Sequence, residues 1–205
     1  VATGEQMYIK PPSPDTNTRL RYNWNAGFAQ DPFDSKTVYY GCQFLLKSTN
    51  KGLTWQVVSP DLTTDNKTQQ KQDENGGLSV DITGAENYNT IICIEPSKKE
   101  KNVLWVGTDD GNVQLTKDGG KTWTNFRGKI PGMPVGAWVP QIRASRYNAA
   151  EAFVVCNDYR RGDMKPYIFR TKNYGQTWER MIDENKVKGY ALCMIQDPTE
   201  PNLIF

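Results

Sequence analysis

Thr116-Lys117-Asp118-Gly119-Gly120-Lys121-Thr122-Trp123 is one of three related octapeptides in this chain. Ser48-Thr49-Asn50-Lys51-Gly52-Leu53-Thr54-Trp55 is a second copy, and Thr171-Lys172-Asn173-Tyr174-Gly175-Gln176-Thr177-Trp178 a third. The shared pattern is Ser/Thr-x-Asp/Asn-x-Gly-x-Thr-Trp. Trp55, Trp123 and Trp178 stand 68 and 55 residues apart, a recurrence expected of stacked supersecondary units. Each residue type has a task in a tight turn. Asp or Asn at the third position bonds forward to backbone amides, and Gly at the fifth supplies a positive φ without a Cβ clash. Thr and Trp then restart a strand, with the indole large enough to close the space beneath the turn.

Short runs of strand-forming residues flank each octapeptide. The first unit predicts strands over 22–30, 37–42, 44–48 and 55–59, the second over 90–95, 103–108, 112–117 and 122–126. The third predicts 138–144, 152–157, 166–171 and 177–182, and a further pair follows over 190–196 and 202–205 around Asp197-Pro198. The octapeptide always falls between strands three and four. A four-strand rhythm that repeats in this way predicts an all-β fold, a partial β-propeller of three four-stranded blades plus the start of a fourth. A β-sandwich or β-solenoid would not keep that rhythm. The expected organisation is a polar lead-in over 1–21, blade one over 22–61, a long crossover over 62–89, blade two over 90–137, blade three over 138–189 and the start of a truncated fourth blade over 190–205. Three blades and a part do not close a ring of about four to eight. The remaining blades of a longer parent are therefore expected partners, and self-association through open blade edges is a second expectation.

Composition narrows the chemistry. The 205 residues include 17 Gly, 12 Pro, 6 Trp and 10 Tyr, which suits many short strands and turns. A net charge of +2 gives no reason to expect a nucleic-acid partner, and no apolar run is long enough to span a bilayer. The chain has no histidine, so Ser-His-Asp and Cys-His catalysis and His-ligated zinc are excluded within it. Cys42, Cys93, Cys156 and Cys193 form no Cys-x-x-Cys pair and lie in apolar runs, which reads as buried free thiols in preference to disulfides. One carboxylate per octapeptide is too few for calcium. No metal and no cofactor is expected.

The turns between strands three and four belong at the bottom of a propeller, so ligand-binding residues are sought at the top. There the crossover ends in Gly84-Ala85-Glu86-Asn87-Tyr88, with Asp81 a little earlier; its first half, 61–74, reads as polar and mobile. Asp109 and Asp110 follow the second strand of blade two, and Asp158, Tyr159, Arg160 and Arg161 fill the same link in blade three. Trp24 and Trp138 open two inner strands. Asp81, Glu86, Asp109, Asp110 and Asp158 are the candidate catalytic acids, because glycoside hydrolysis needs two carboxyl groups across one site. Trp24, Asn87, Tyr88, Trp138, Tyr159 and Arg160 are the candidate ligand contacts for a glycan or a peptide. Ordinary turn and core roles compete with each of these readings.

The octapeptide resembles the Asp-box, or BNR, repeat of sialidases, xyloglucanase-type glycoside hydrolases, sortilin (VPS10) ectodomains and photosystem assembly factors. Only Asp118 keeps the aspartate. The structural residues the resemblance marks are Ser48, Asn50, Gly52, Trp55, Thr116, Asp118, Gly120, Trp123, Thr171, Asn173, Gly175 and Trp178. Ser59-Pro60-Asp61-Leu62-Thr63-Thr64, Gly84-Ala85-Glu86-Asn87 and Trp105-Val106-Gly107-Thr108-Asp109-Asp110-Gly111-Asn112-Val113 look like large bacterial exported proteins with a sortilin-like propeller, often labelled glycosyl hydrolase. That resemblance implies an extracytoplasmic setting and a propeller of more blades, and the function expected here is a non-catalytic, sortilin-like binding or scaffold module. Its alternative is a fragment of a BNR-repeat glycoside hydrolase. The Arg-Ile-Pro motif of a sialidase is missing, and Gln141-Ile142-Arg143-Ala144 is no substitute.

Overall fold

A computed structural model describes residues 4, 6–71 and 87–205. Twelve strands form three four-stranded antiparallel sheets, each in sequential order. The first sheet is β1 (Phe28–Gln30), β2 (Val38–Gly41), β3 (Leu45–Ser48) and β4 (Gln56–Val57). The second is β5 (Ile91–Pro96), β6 (Leu104–Thr108), β7 (Val113–Thr116) and β8 (Thr124–Asn125). The third is β9 (Trp138–Ala144), β10 (Ala152–Asp158), β11 (Asp163–Thr171) and β12 (Glu179–Arg180). Strand β5 lies against β1 and β2, and β9 against β5 and β6. Successive sheets therefore stack through their first strands, the radial arrangement of propeller blades.

The core lies between the blades. Strand alternation sends one face of each sheet forward and the other back. Tyr39, Trp105 and Phe153 occupy the same register position in β2, β6 and β10, paired with Ala29, Glu95 and Arg143 of the neighbouring inner strands. All three aromatics are buried and face the next unit. Tyr39 and Leu45 pack on Ile94, Leu104 and Val106. Trp105 and Leu115 pack on Ile142, Val154 and Phe169. Phe153 and Val155 meet Met194 of the C-terminal stretch. Each fully buried aromatic contributes roughly 1.5–3 kcal/mol of transfer free energy.

Several elements are shorter than the sequence predicts. Strand β1 begins at Phe28 rather than 22, because Asn23 Oδ1 accepts the Asn25 amide (3.1 Å) and curls the chain into a turn. The outer strands β4, β8 and β12 keep two residues each. The preceding turn consumes their first residues, and one further backbone bond extends each: Val58 N–H to Leu45, Phe126 N–H to Val113 and Met181 N–H to Ile168, all 2.9 Å. The pair expected over 190–196 and 202–205 is a short antiparallel ladder, with one bridge between Gln196 and Ile204 and reciprocal bonds of 2.9 Å between Ile195 and Phe205. All four cysteines are free, against the reading that each is a buried strand residue in three respects: Cys193 is exposed and lies in no strand, Cys42 is buried but follows the end of β2, and Cys93 is half-buried. No helix among the described residues is long and apolar enough to cross a membrane.

Candidate functional site

The two ends of the blades are built differently. At the bottom, the three octapeptides share one hydrogen-bond scheme. The first-position hydroxyl accepts from the fifth-position glycine amide: Gly52 to Ser48 at 2.8 Å, Gly120 to Thr116 at 2.9 Å and Gly175 to Thr171 at 2.8 Å. The third-position Oδ1 accepts the amide of the Thr four residues on, at 2.9 Å in every copy. One bond reverses polarity. Asn50 and Asn173 donate to the hydroxyls of Thr54 and Thr177 (2.9 and 2.8 Å), whereas Thr122 donates to Asp118 (2.6 Å). A hydroxyl serves in either direction, so Asn and Asp are interchangeable here. The bonds from Thr122 and Thr116 hold the Asp118 carboxyl well below its ordinary range. The fourth-position amide bonds back to the strand 1–2 loop in each blade: Lys51 to Lys36, Gly119 to Asn102 and Tyr174 to Ala150.

At the top, the loops form a single interlocked network. Asp110 is buried, and its Oδ2 accepts from the Thr64 amide and hydroxyl (both 2.7 Å) and from Asn89 Nδ2 (2.9 Å). Its Oδ1 accepts from the Thr108 hydroxyl at 2.5 Å. Asp109 is fully buried and accepts the Thr90 amide on Oδ1 (2.8 Å) and the Thr90 hydroxyl on Oδ2 (2.5 Å). Burial, and then the charge of Asp110, push Asp109 well above the ordinary carboxyl range, against the Thr90 bonds. Arg21 reaches Asp61 (2.7 Å), Asp65 (3.2 Å) and the Asn89 carbonyl (3.2 Å). Asn112 and Gln114 donate to the Leu62 carbonyl at 2.8 and 2.9 Å. Residues 61–65 of the crossover, expected to be mobile, are thus tied to blade two through side chains whose partners lie far off in sequence. Asp81 and Glu86 lie outside the described residues.

Beside this network a cleft of about 160 Å³ opens between blades two and three. Tyr88, Asp109, Trp138, Asn157, Asp158, Arg160 and Arg161 line it, with Gln69 and Gly136. Five of the sequence candidates meet here: Asp109, Asp158, Tyr88, Trp138 and Arg160. Asp110 lies beneath, Trp24 stands apart at 68% exposure, and Asn87 is spent on Tyr22, to whose carbonyl both its amides donate. The Arg160 guanidinium lies 3.8 Å from the Trp138 ring centre and 4.6 Å from that of Tyr159. Tyr159 in turn stacks on Tyr190 at 4.5 Å. Arg160 makes no hydrogen bond or ion pair with any described residue, and the rings set its position. Arg161 grips Asp158 through Nε to Oδ1 (2.5 Å) and a terminal nitrogen to Oδ2 (2.8 Å), and also donates to the Val135 carbonyl (2.9 Å). Asn157 is buried, and its Oδ1 has no hydrogen-bond partner among the described residues. Burial raises the Tyr88 hydroxyl pKa, helped by Asp109 and Asp110, so the phenol is neutral.

The sequence reading missed Arg21, Thr64, Asn89, Thr90 and Asn157 as organisers of this face, and it placed Arg161 in the blade-three link without its grip on Asp158. Among the described residues no group of three or more His, Cys, Asp or Glu could hold a metal ion.

No protein-family model matches the chain, and no curated protein matches it in sequence. In structure it is similar to an ancestral GH74 enzyme, with a TM-score of 0.61 and 15% identity over 92% of this chain and 23% of that one. It is also similar to the GH74 xyloglucanase from Xanthomonas campestris, with a TM-score of 0.58 and 17% identity over 86% of this chain and 25% of that one. The chain spans about a quarter of the length of these enzymes. At such identities the likeness concerns the fold alone. With the three stacked sheets it makes this chain part of a β-propeller.

Proposed function

We propose that this propeller piece is a non-catalytic binding or scaffold module of a larger exported protein, sortilin-like, recognising a peptide or glycan at its top face. The observation that carries the reading is the contrast between the acids and the cation of the top cleft. Both oxygens of Asp109, Asp110 and Asp158 already accept hydrogen bonds from the protein, whereas Arg160 is held over two rings and bonds to no described residue. The cleft offers donors to a ligand oxygen and, at Asn157 Oδ1, an acceptor to a ligand N–H or O–H. Arg160 covers a face of Trp138, the platform on which a neutral sugar ring would stack. That favours ligands with carboxylate or carbonyl oxygens. An extracytoplasmic location, and blade boundaries at 22–61, 90–137 and 138–189, belong to the same proposal.

A second reading has one observation in its favour: Asp109 and Asp158 line the same cleft. An acid raised as Asp109 is could protonate a leaving group while an ionised partner acts from the other side, the division of labour of a glycoside hydrolase. The test is a peptide and glycan array read with the chain and its Arg160→Ala variant, with product release followed in parallel. Binding lost in the variant without turnover supports the module. Turnover abolished by Asp109→Asn or Asp158→Asn supports the hydrolase and overturns the module.

A further inference from the structure

The ion pair of the inner strands is incomplete in a way that suits a ligand. Glu95 is the last residue but one of β5 and Arg143 the last but one of β9, at the same register position of adjacent blades. Arg143 reaches Glu95 Oε2 at 3.5 Å, yet Glu95 Oε1 and Arg143 Nε are both buried without a hydrogen-bond partner among the described residues. Glu95 is only 9% exposed. A buried unpaired acceptor beside a buried unpaired donor costs free energy unless something supplies the missing bonds.

Both residues line a bottom-face cleft of about 240 Å³. Lys98 enters it from the strand 1–2 loop of blade two, Arg146 from that of blade three, and Ile195 and Gln196 from the C-terminal ladder. Neither Lys98 nor Arg146 makes a hydrogen bond or ion pair with a described residue. Three cations thus face one acid, and that acid has a free oxygen. Burial raises the Glu95 pKa above its ordinary value, and the charges of Arg143 and Lys98, with bonds from the Ala144 amide and the Arg143 side chain, oppose that rise. An ionised, acceptor-only carboxylate among cations selects an anion that carries its own proton.

We propose that this bottom cleft is a binding site for hydrogen phosphate. Lys98, Arg143 and Arg146 donate to its anionic oxygens, and the P–O–H donates to Glu95 Oε1. Inorganic phosphate keeps an O–H throughout the neutral range. Sulfate has none, and a phosphomonoester loses its last one above about pH 6. The site lies at the opposite end of the blades from the Arg160 cleft and does not depend on what that cleft binds.

The test is calorimetric titration of the chain at pH 7.5 and constant ionic strength with sodium phosphate, sodium sulfate and methyl phosphate. Phosphate is expected to bind at least about tenfold more tightly than either of the others, the worth of one charge-assisted hydrogen bond. Glu95→Gln, whose amide offers a donor as well as an acceptor, is expected to bring sulfate and phosphate within about threefold of each other. Arg146→Ala, at an exposed position, is expected to weaken phosphate about tenfold without shifting the melting temperature. Lys98→Ala serves as the reporter if Glu95→Gln does not fold. Equal affinity for phosphate and sulfate in the unchanged chain, no saturable binding of phosphate, or a selectivity untouched by Glu95→Gln would overturn the proposal.

Discussion

The bottom turns and the top loops of this propeller piece close the same strands by opposite means. At the bottom, three copies of one octapeptide make the same bonds from residues within eight positions of one another. At the top, closure is long-range: Asp110 to Thr64 across 46 residues, Asn112 to Leu62 across 50, Arg21 to Asp61 across 40. The strand 2–3 links also differ, from the short Cys42–Phe44 connection to a 3-10 turn at Tyr159–Arg161 capped by Gly162 at φ 84°. Repetition marks the end where geometry must stay fixed. Divergence marks the end where each blade can present its own side chains, which is where the ring-stacked Arg160 sits.

This contrast can be broken most strongly at the octapeptide glycines. A Cβ on Gly120 would stand 2.2 Å from the Val58 carbonyl oxygen, and one on Gly175 2.3 Å from Phe126 Cζ, at φ values of 106° and 82°. Gly120→Ala combines overpacking with a left-handed alanine and is expected to cost about 3 kcal/mol or more in urea unfolding. A cost below about 1 kcal/mol would mean that the turn is not pressed against the preceding blade. A smaller effect is expected at Thr116, whose hydroxyl serves Gly120, Asp118 N–H and Asp118 Oδ1. Thr116→Val keeps the shape and strands the Gly120 amide, for an expected loss of about 1–3 kcal/mol; no loss would show that water replaces the hydroxyl.

The finest test swaps Asp118 for the Asn of the other two copies. At neutral pH Asp118→Asn is expected to leave stability unchanged, since an Asn makes the equivalent bonds in blades one and three. In acid the two proteins should part. The folded pKa of Asp118 is depressed below its ordinary 3.8, so its contribution is present above that value and lost as pH falls below it. The Asn variant has nothing to titrate there. The difference in melting temperature between the variant and the parent chain should therefore grow in the variant's favour below pH 3.8. A constant difference across that range would remove Asp118 as the cause.

Strand order and the turns were legible because both are encoded locally. The three octapeptides fix where strand three ends, and the four-strand rhythm around them fixes the strand order. That Tyr39, Trp105 and Phe153 face the next unit was not legible, because β6 and β10 are buried on both faces and their sequences do not alternate. One feature of the turns was not legible. The fourth position is also left-handed, at φ 60° in Lys51, 75° in Gly119 and 55° in Tyr174, and neither lysine nor tyrosine advertises that conformation. At the top, Asp158, Arg160 and Trp138 could be placed on one face from strand topology alone. Thr64, Thr90 and Asn89 could not, because a threonine at a strand start looks the same whether or not it holds a buried aspartate. Nor does sequence show that Arg160 lies against Trp138, since the two are 22 residues apart, one in the 3-10 turn after β10 and the other at the start of β9.

The close approach of each octapeptide glycine has a temporal side. Gly120 closes on Val58, Gly175 on Phe126, and Gly52 on Ile9, whose side chain would stand 3.0 Å from an added Cβ. In every case the surface met by the glycine comes earlier in the chain. A polypeptide emerging N-terminus first thus offers each turn a finished template before the turn itself is made. The array can be laid down one blade at a time, with no contact of this kind waiting on residues still to be synthesised.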